Sequence, residues 1–532
     1  MYFILKYDCI IISMSKNIRI NVIVNVIRTL VLTLLSFITF PWVCRCLGDE
    51  GVGLYTWANT FVAYFLILAK IGIPNLAVRE CVKVRDDKEK LSNKVQAFFL
   101  LQLVATVLSF GFMTAVVFSV PQLREVDSLV FILSLNFLAG AYSFEWVFIA
   151  LEKQFYMSVR SIIALTISAI LIVSFVKYRS DLLLYAFFAI LVTVITTISN
   201  LYYVRRYVSF KKTMPYNLKQ YTKPLVVLCM MSLVLSLYNQ TDTFILGFID
   251  NNADAASEVA SYSVGIKGID IIIGIITALS TVFIPRAAYY YNVEDKKYFN
   301  NLNKYSMNIC LFVVLPAIIT MSILAKPICG LISGNYEFTN ADEAYASAPY
   351  ILIILASMML TYSISDIIYG QILLPTKKEK YYLIAVVGGT ILNGVLSIVL
   401  GQTFVFDGKH MPAVGVAIGT VSTDILILAF LLAVTWKWSK NALFNKNTLK
   451  LLAGNGVILA ISLALYYPLM ELWKQMGLGI ELRLVFQLLS VVVIDLVAYL
   501  ITLRILKEDL VYSFSKEKRN EKKSLEDGDY NA

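Results

Sequence analysis

The sequence predicts an all-α integral membrane protein with about fourteen transmembrane helices. Hydrophobic residues make up 58% of the 532 residues, charged residues only 15%, and the mean hydropathy is +0.72. Soluble domains carry about 25% charged residues, so this chain lacks the polar surface that a soluble fold requires. The apolar residues are also grouped in long runs, and lysine and arginine lie between those runs in an alternating pattern. A lipid bilayer is the solvent that accepts such a chain.

Each predicted helix is a stretch of about 20 mostly apolar residues, the length that crosses the hydrocarbon core. Fourteen stretches meet this requirement. They are 20–43, 53–77, 94–119, 128–151, 159–176, 182–204, 224–249, 259–287, 305–333, 348–374, 382–403, 413–436, 451–470 and 482–503.

The lysine and arginine residues predict that both termini are cytoplasmic. With the N-terminus inside, 35 of the 46 basic residues fall in cytoplasmic segments, 7 fall outside and 4 fall within helices. Cytoplasmic loops carry the excess of lysine and arginine. Because one missed helix would invert every later loop, this asymmetry also supports an even number of helices.

The loops and charge runs divide the chain into six segments. Residues 1–15 form an N-terminal extension, in which we expect Met14 to be the natural initiator, and 205–223 is a basic cytoplasmic linker. Residues 16–204 and 224–437 would each hold six helices, 438–506 two further helices, and 507–532 a charged, disordered cytoplasmic tail.

A weak internal repeat predicts two six-helix lobes. Leu47-Gly48 recurs as Leu246-Gly247 at an offset of 199, and Ile73-Pro74 recurs as Ile284-Pro285 at an offset of 211. An even number of helices in each half gives parallel repeats related by a pseudo-two-fold axis along the membrane normal. Such lobes hold a substrate site between them and alternate its access by rocking.

The composition argues against catalysis, metal binding and nucleic-acid binding. His410 is the single histidine, and the seven cysteines contain no CxxC pair. The outer loops are short, whereas membrane enzymes that process polysaccharides usually need a sizeable loop. The basic residues lie in separate loops, so no nucleic-acid surface forms. We therefore expect no catalytic residue, no metal site and no enzyme activity.

Helix 1 carries a polar stripe that ends in an arginine. Asn17, Asn21, Asn25 and Arg28 are spaced by four, four and three residues, which places them on one helical face. An arginine on the wall of a wet cavity would bind a diphosphate, because its guanidinium matches phosphate oxygens. The alternative is that Arg28 extends toward the headgroups of the inner leaflet.

Other ionisable residues within predicted helices are candidate cavity or ion-coupling groups, because charges in the bilayer usually face a cavity or a partner. Lys70 and Lys267 would join Arg28, Asn21 and Asn25 in a cationic substrate cavity, although Lys267 and Asp270 are also spaced to form an ion pair. Glu145 and Asp366 have the alternative of pairing near the interface, with Lys153 or with the Lys377–Lys380 cluster. Lys70 has the alternative of extending toward the headgroups. The candidates for gating or for coupling to Na⁺ or H⁺ are Asp242, Asp270, Glu145, Asp366 and Asp424.

Several motifs resemble those of a known transporter family. They are Cys46-Leu-Gly-Asp-Glu-Gly-Val-Gly-Leu-Tyr, Ile71-Gly-Ile-Pro-Asn-Leu-Ala, Tyr238-Asn-Gln-Thr-Asp-Thr-Phe and Asp366-Ile-Ile-Tyr-Gly-Gln. These stretches are similar to bacterial polysaccharide flippases, the Wzx-type members of the multidrug/oligosaccharidyl-lipid/polysaccharide exporter superfamily. The resemblance implies a V-shaped, MATE-like fold of two six-helix lobes, with two C-terminal helices added.

The resemblance also implies a function. Such a flippase moves an oligosaccharide repeat unit linked to undecaprenyl diphosphate from the inner to the outer leaflet of the bacterial inner membrane, for capsule or O-antigen synthesis. Its partners would be the polyprenyl-diphosphate oligosaccharide, membrane lipids, and a polysaccharide polymerase with export machinery. No cofactor is implied beyond a coupling Na⁺ or H⁺. The alternatives are a multidrug or metabolite cation antiporter of the same superfamily and a lipid II flippase.

Overall fold

The fold is known from a computed structural model that describes residues 16–211, 219–249, 252–336, 338, 344–406 and 408–512. Nearly all of these residues are helical. The extension 1–15, most of the predicted tail 507–532 and residues 212–218 of the predicted linker lie outside the described residues.

The N-terminal half combines long helices with short ones. They are α1 (Lys16–Lys70), α2 (Ile73–Val82), α3 (Lys88–Ser119), α4 (Pro121–Glu125), α5 (Asp127–Ala141), α6 (Glu145–Ala150), α7 (Gln154–Phe175) and α8 (Leu182–Val204), with a 3₁₀ turn at Arg179–Asp181.

The second half is built mainly of long helices. Its helices are α9 (Lys219–Leu246), α10 (Asn252–Asn292), α11 (Lys296–Ile323), α12 (Ala325–Ser333), α13 (Ala348–Ile367), α14 (Glu379–Thr403), α15 (Pro412–Leu443), α16 (Lys446–Gln475) and α17 (Ile480–Ile505). A π-helical turn, Ile368–Leu373, extends α13, and the hairpin β1 (Val405–Phe406) and β2 (Lys409–His410) precedes α15.

Among the described residues, twelve helical segments are long and apolar enough to span a membrane. One of them, Val31–Val82, contains the predicted helix 2 and the second half of the predicted helix 1. The predicted helix 128–151 is divided between α5 and α6. Its first part lies in a shorter apolar segment, Asp127–Phe137. With these differences included, the architecture is consistent with about fourteen crossings.

The first two predicted helices are joined without a loop. α1 runs through the expected loop 44–52 and is interrupted only at Gly48, whose φ of 72° and ψ of −177° are non-helical. This region of conformational space favours glycine, since a side chain there meets the backbone. The bend between the two helices therefore takes place at a single residue.

Contacts divide the described residues into two compact units, one that ends at Ala260 and one that begins at Ser261. The division falls within α10, so α9 belongs by contact to the N-terminal unit. Trp57 of α1 is 3% exposed, and its indole nitrogen donates a hydrogen bond to the Phe244 carbonyl of α9 over 3.3 Å. A second contact joins Asp49 to Ser257 over 2.6 Å.

Candidate functional site: a cationic cluster in the N-terminal unit

The candidate site is built around a break in the predicted fourth helix. α5 ends at Ala141, and Phe144 adopts a positive φ of 46° before α6 begins at Glu145. The break places Glu145 at the first position of a short helix. Its side chain therefore has a different direction from the one it would have if α5 continued through this position. Phe144 is itself buried, at 1% exposure, in the core of the unit.

Two arginines from different helices converge on Glu145. Its Oε1 atom lies 3.2 Å from Arg160 Nη2 of α7 and 3.9 Å from Arg28 Nη2 of α1. The side chain of Arg160 is only 6% exposed, that of Arg28 is 21% exposed, and that of Glu145 is 42% exposed. The carboxylate therefore lies at the open side of the cluster and the Arg160 guanidinium lies inside it.

Lys70 completes the set at the end of α1. It is exposed, and its ammonium group interacts electrostatically with Glu145. α1 ends at Lys70 because Ile71 and Gly72 both adopt positive φ values, 44° and 72°. Pro74 follows in the first turn of α2, where a proline fits without loss of a helical hydrogen bond.

The four side chains, called here the cationic cluster (Arg28, Lys70, Glu145 and Arg160), hold three positive charges and one negative charge. Arg160 also lies over the ring of Tyr156, 5.7 Å from its centroid. The buried Nε atoms of Arg28 and Arg160 and Nη1 of Arg160 have no hydrogen-bond partner among the described residues. Buried donors without partners are costly, so the cluster has spare capacity for anionic oxygens.

The sequence indicated Arg28 and Lys70 as cavity residues and Glu145 as a gating or ion-coupling residue, but it gave no role to Arg160, which falls among the predicted cytoplasmic residues 153–160. The signal was available, because the predicted span 159–176 begins just before Arg160. The alternative partner expected for Glu145 is wrong: Lys153 instead lies over the Tyr207 ring, 5.5 Å from its centroid. Asn21 and Asn25 belong to α1, but the structure does not describe their side chains.

Lys267 and Asp270 belong to the C-terminal unit and form the ion pair that their spacing allows. Lys267 Nζ lies 3.3 Å from Asp270 Oδ2, and the two side chains are 33% and 44% exposed. The pair neutralises itself, so Lys267 contributes less free positive charge than Arg28 or Lys70. Asp242, in α9, is 7% exposed and interacts electrostatically with Tyr64.

Asp366 and Asp424 lie in a second polar cluster of the C-terminal unit. Tyr362 and Tyr382 interact electrostatically with both carboxylates. Asp424 is 4% exposed. The Ser280 hydroxyl lies near the Asp366 carboxylate, but it makes no hydrogen bond with the described residues. Carboxylate, phenol and hydroxyl oxygens are the ligands that hard cations prefer.

Comparison with known proteins identifies the family. A family model described as "Polysaccharide biosynthesis protein" matches residues 18–290, slightly more than half of the chain, and that range contains the whole cationic cluster. The chain belongs to the polysaccharide biosynthesis protein family. A curated relative from Escherichia coli (strain K12), named "Putative O-antigen transporter", is 20% identical over 401 residues, which cover 75% of this chain and 92% of the relative.

A solved structure shows the fold. A multidrug resistance MATE family transporter of the MOP superfamily, in an inward-facing conformation, superposes with a TM-score of 0.58. The superposition covers 77% of this chain and 96% of that transporter at 14% sequence identity. The family member described here is therefore a multi-pass membrane protein with a MATE-like fold, as the sequence motifs predicted.

Proposed function

We infer that this family member is a flippase for lipid-linked oligosaccharides and not an enzyme. The substrate would be an oligosaccharide repeat unit on undecaprenyl diphosphate, moved from the inner to the outer leaflet by alternating access. The family match, the MATE-like fold and the name of the E. coli relative all support transport in polysaccharide synthesis. The location would be the bacterial inner membrane, with both termini cytoplasmic and a polysaccharide polymerase as the downstream partner.

The cationic cluster is the observation that carries this proposal. Three cations near one half-exposed carboxylate give the cluster a net charge of +2 within a helix bundle. Arginine binds phosphate oxygens through two parallel hydrogen bonds, and both arginines have unpartnered donors. A diphosphate would displace Glu145 from the arginines, and Glu145 would return when the substrate leaves. Glu145 thus acts as an internal substitute for the substrate anion.

The second polar cluster, which contains Asp366 and Asp424 of the C-terminal unit, favours ion coupling. Asp366 and Asp424 with Tyr362 offer oxygen ligands for Na⁺ or acceptors for H⁺, and we assign the coupling ion to them before Asp242 or Asp270. The same acids support the second candidate, a multidrug or metabolite cation antiporter. That candidate does not account for the excess positive charge near Arg160, which would repel a cationic substrate. A lipid II flippase shares the diphosphate and differs only in the sugar.

A cellular rescue experiment tests the proposal. Deletion of the gene should leave lipid-linked repeat units facing the cytoplasm and remove the surface polysaccharide. Wild-type protein should restore the polysaccharide, whereas a variant with Arg28→Gln, Lys70→Gln and Arg160→Gln should not.

The matched control for this variant is Arg85→Gln. Arg85 pairs with Glu152 over 2.6 Å, and both side chains are exposed, so the control removes an arginine outside the cluster. Membrane levels of all variants are compared by immunoblot. Full rescue by the triple variant would refute the role of the cluster. If the deletion leaves the surface polysaccharide intact and lowers drug resistance instead, the antiporter is favoured.

A further inference from the structure

An apolar cleft opens where α16 leaves α15 in the C-terminal unit, and the mechanism above does not use it. Its volume is about 670 Å³, within the range of small-molecule and cofactor sites. Leu311 and Ile364 form a buried floor, with 4% and 5% exposure. Phe444 and Leu449 form the rim and are both 67% exposed. The cleft, called here the α15–α16 cleft, is thus a trough with a closed floor and an open side.

One end of the α15–α16 cleft is polar and positively charged. Asn445, Lys446 and Thr448 line this end. Lys446 is exposed, and no acidic side chain among the described residues pairs with it. The buried hydroxyl oxygen of Thr448 has no hydrogen-bond partner within the described part of the chain.

The neighbouring polar groups at this end are already engaged. The Asn445 side chain accepts hydrogen bonds from the backbone N–H groups of Asn447 and Thr448, and its amide nitrogen donates to the Ala442 carbonyl over 2.8 Å. Lys450, one turn further along α16, lies 3.7 Å from Asp509. Lys446 is therefore the cation at this end that is available to a ligand.

The occupant must match an apolar wall with a cation at one end only. From Lys446 to Leu452 the wall extends along α16 for about 9 Å, at 1.5 Å per residue. A sugar would leave its hydroxyl groups unpaired against leucine and phenylalanine. An organic cation would meet repulsion from Lys446. An amphiphile with an apolar chain and an anionic head satisfies both parts of the cleft.

We propose that the α15–α16 cleft binds a resident anionic phospholipid, with one acyl chain in the trough and its phosphate on Lys446. The charge complementarity selects the anionic headgroup, because lysines near the membrane surface attract anionic lipids. On the predicted topology this end faces the cytoplasm. The lipid fills the gap between α16 and the helices α11, α13 and α15, and it is not transported.

Native mass spectrometry of the full-length protein tests this site. The protein is stripped of lipid in detergent and then given equal amounts of phosphatidylglycerol and phosphatidylcholine with identical acyl chains. We expect the wild type to retain one phosphatidylglycerol at least fivefold more than phosphatidylcholine. Lys446→Ala should remove this preference, and Lys446→Arg should keep it. Leu432→Trp, which fills the trough, should lower retention of both lipids.

The control is Lys297→Ala, which removes an exposed lysine that does not line the cleft, and it should bind lipid as the wild type does. Equal retention of the two lipids by the wild type would refute the proposal. Unchanged preference in Lys446→Ala would also refute it. If undecaprenyl phosphate displaces phosphatidylglycerol at equal concentration, the cleft belongs to the transported substrate instead. If Lys446→Ala is not monodisperse, the comparison of Leu432→Trp with the wild type decides.

Discussion

Removal of the charge on Glu145 should strengthen the binding of a diphosphate. Glu145→Gln keeps the shape of the side chain but no longer competes with the ligand for Arg28 and Arg160. Opposite charges about 4 Å apart attract by about 4 kcal/mol at an effective dielectric constant of 20. Because the Glu145 side chain is 42% exposed, solvent screening reduces each contact to about 1 kcal/mol.

Without one or both contacts between Glu145 and the arginines, the binding free energy of the diphosphate becomes more favourable by about 1–2 kcal/mol. Since each 1.4 kcal/mol is a factor of ten in affinity, the gain is about 5-fold to 30-fold. The assay is the binding of farnesyl diphosphate to the purified protein by microscale thermophoresis, at two salt concentrations. The gain should be smaller at the higher salt concentration, because salt screens the partly exposed charges.

Glu152→Gln is the matched control for this prediction. It removes a carboxylate that pairs with an arginine at 2.6 Å, but outside the cationic cluster, and it should leave the affinity unchanged. Arg160→Gln should weaken binding, and its combination with Glu145→Gln should fall between the two single variants. Equal or weaker binding by Glu145→Gln would refute the idea that Glu145 occupies the place of the substrate anion.

Three further predictions concern stability and topology. Gly53→Ala should lower the thermal stability measured in detergent, because a Cβ atom at this position would lie 1.7 Å from the Ala256 carbonyl oxygen; an unchanged melting temperature would contradict this packing. Asp495→Leu should destabilise α17 by about 1–3 kcal/mol, because the half-buried Thr320 hydroxyl and the buried Ser462 hydroxyl, which both donate to the Asp495 carboxylate, lose their acceptor, whereas Asp495→Asn should cost less; limited proteolysis compares the two. A reporter active only outside the cytoplasm should give signal when fused at Lys177 and none when fused at Lys297, and the reverse would overturn the topology.

The sequence was sufficient to predict the membrane class, the helical content and the family. Those features depend on hydropathy, on the spacing of lysine and arginine and on local motifs, all of which can be recognised directly in the sequence. The Lys267–Asp270 pair is equally local, because three residues of helix bring the two groups together. The merged α1 was less predictable, since only the backbone of Gly48 separates its two parts.

The cationic cluster was only partly predictable because its geometry depends on a helix break. Nothing in the local sequence marks Phe144 as a residue with positive φ, and the break decides where the Glu145 carboxylate lies. Arg160 looked like a cytoplasmic loop residue because it stands at the edge of an apolar run. Its burial follows from packing between helices and from the pairing with Glu145, which a single sequence does not display.

Translocation in proteoliposomes tests the central claim most directly. A fluorescent oligosaccharide on a polyprenyl diphosphate is reconstituted with the purified protein, and a membrane-impermeant quencher follows its transfer between leaflets. We expect wild type and Arg85→Gln to translocate the lipid at equal rates, with inorganic pyrophosphate as an inhibitor. The variant lacking the three cations Arg28, Lys70 and Arg160 should retain less than a tenth of that rate. Translocation at the wild-type rate by this variant would contradict the account.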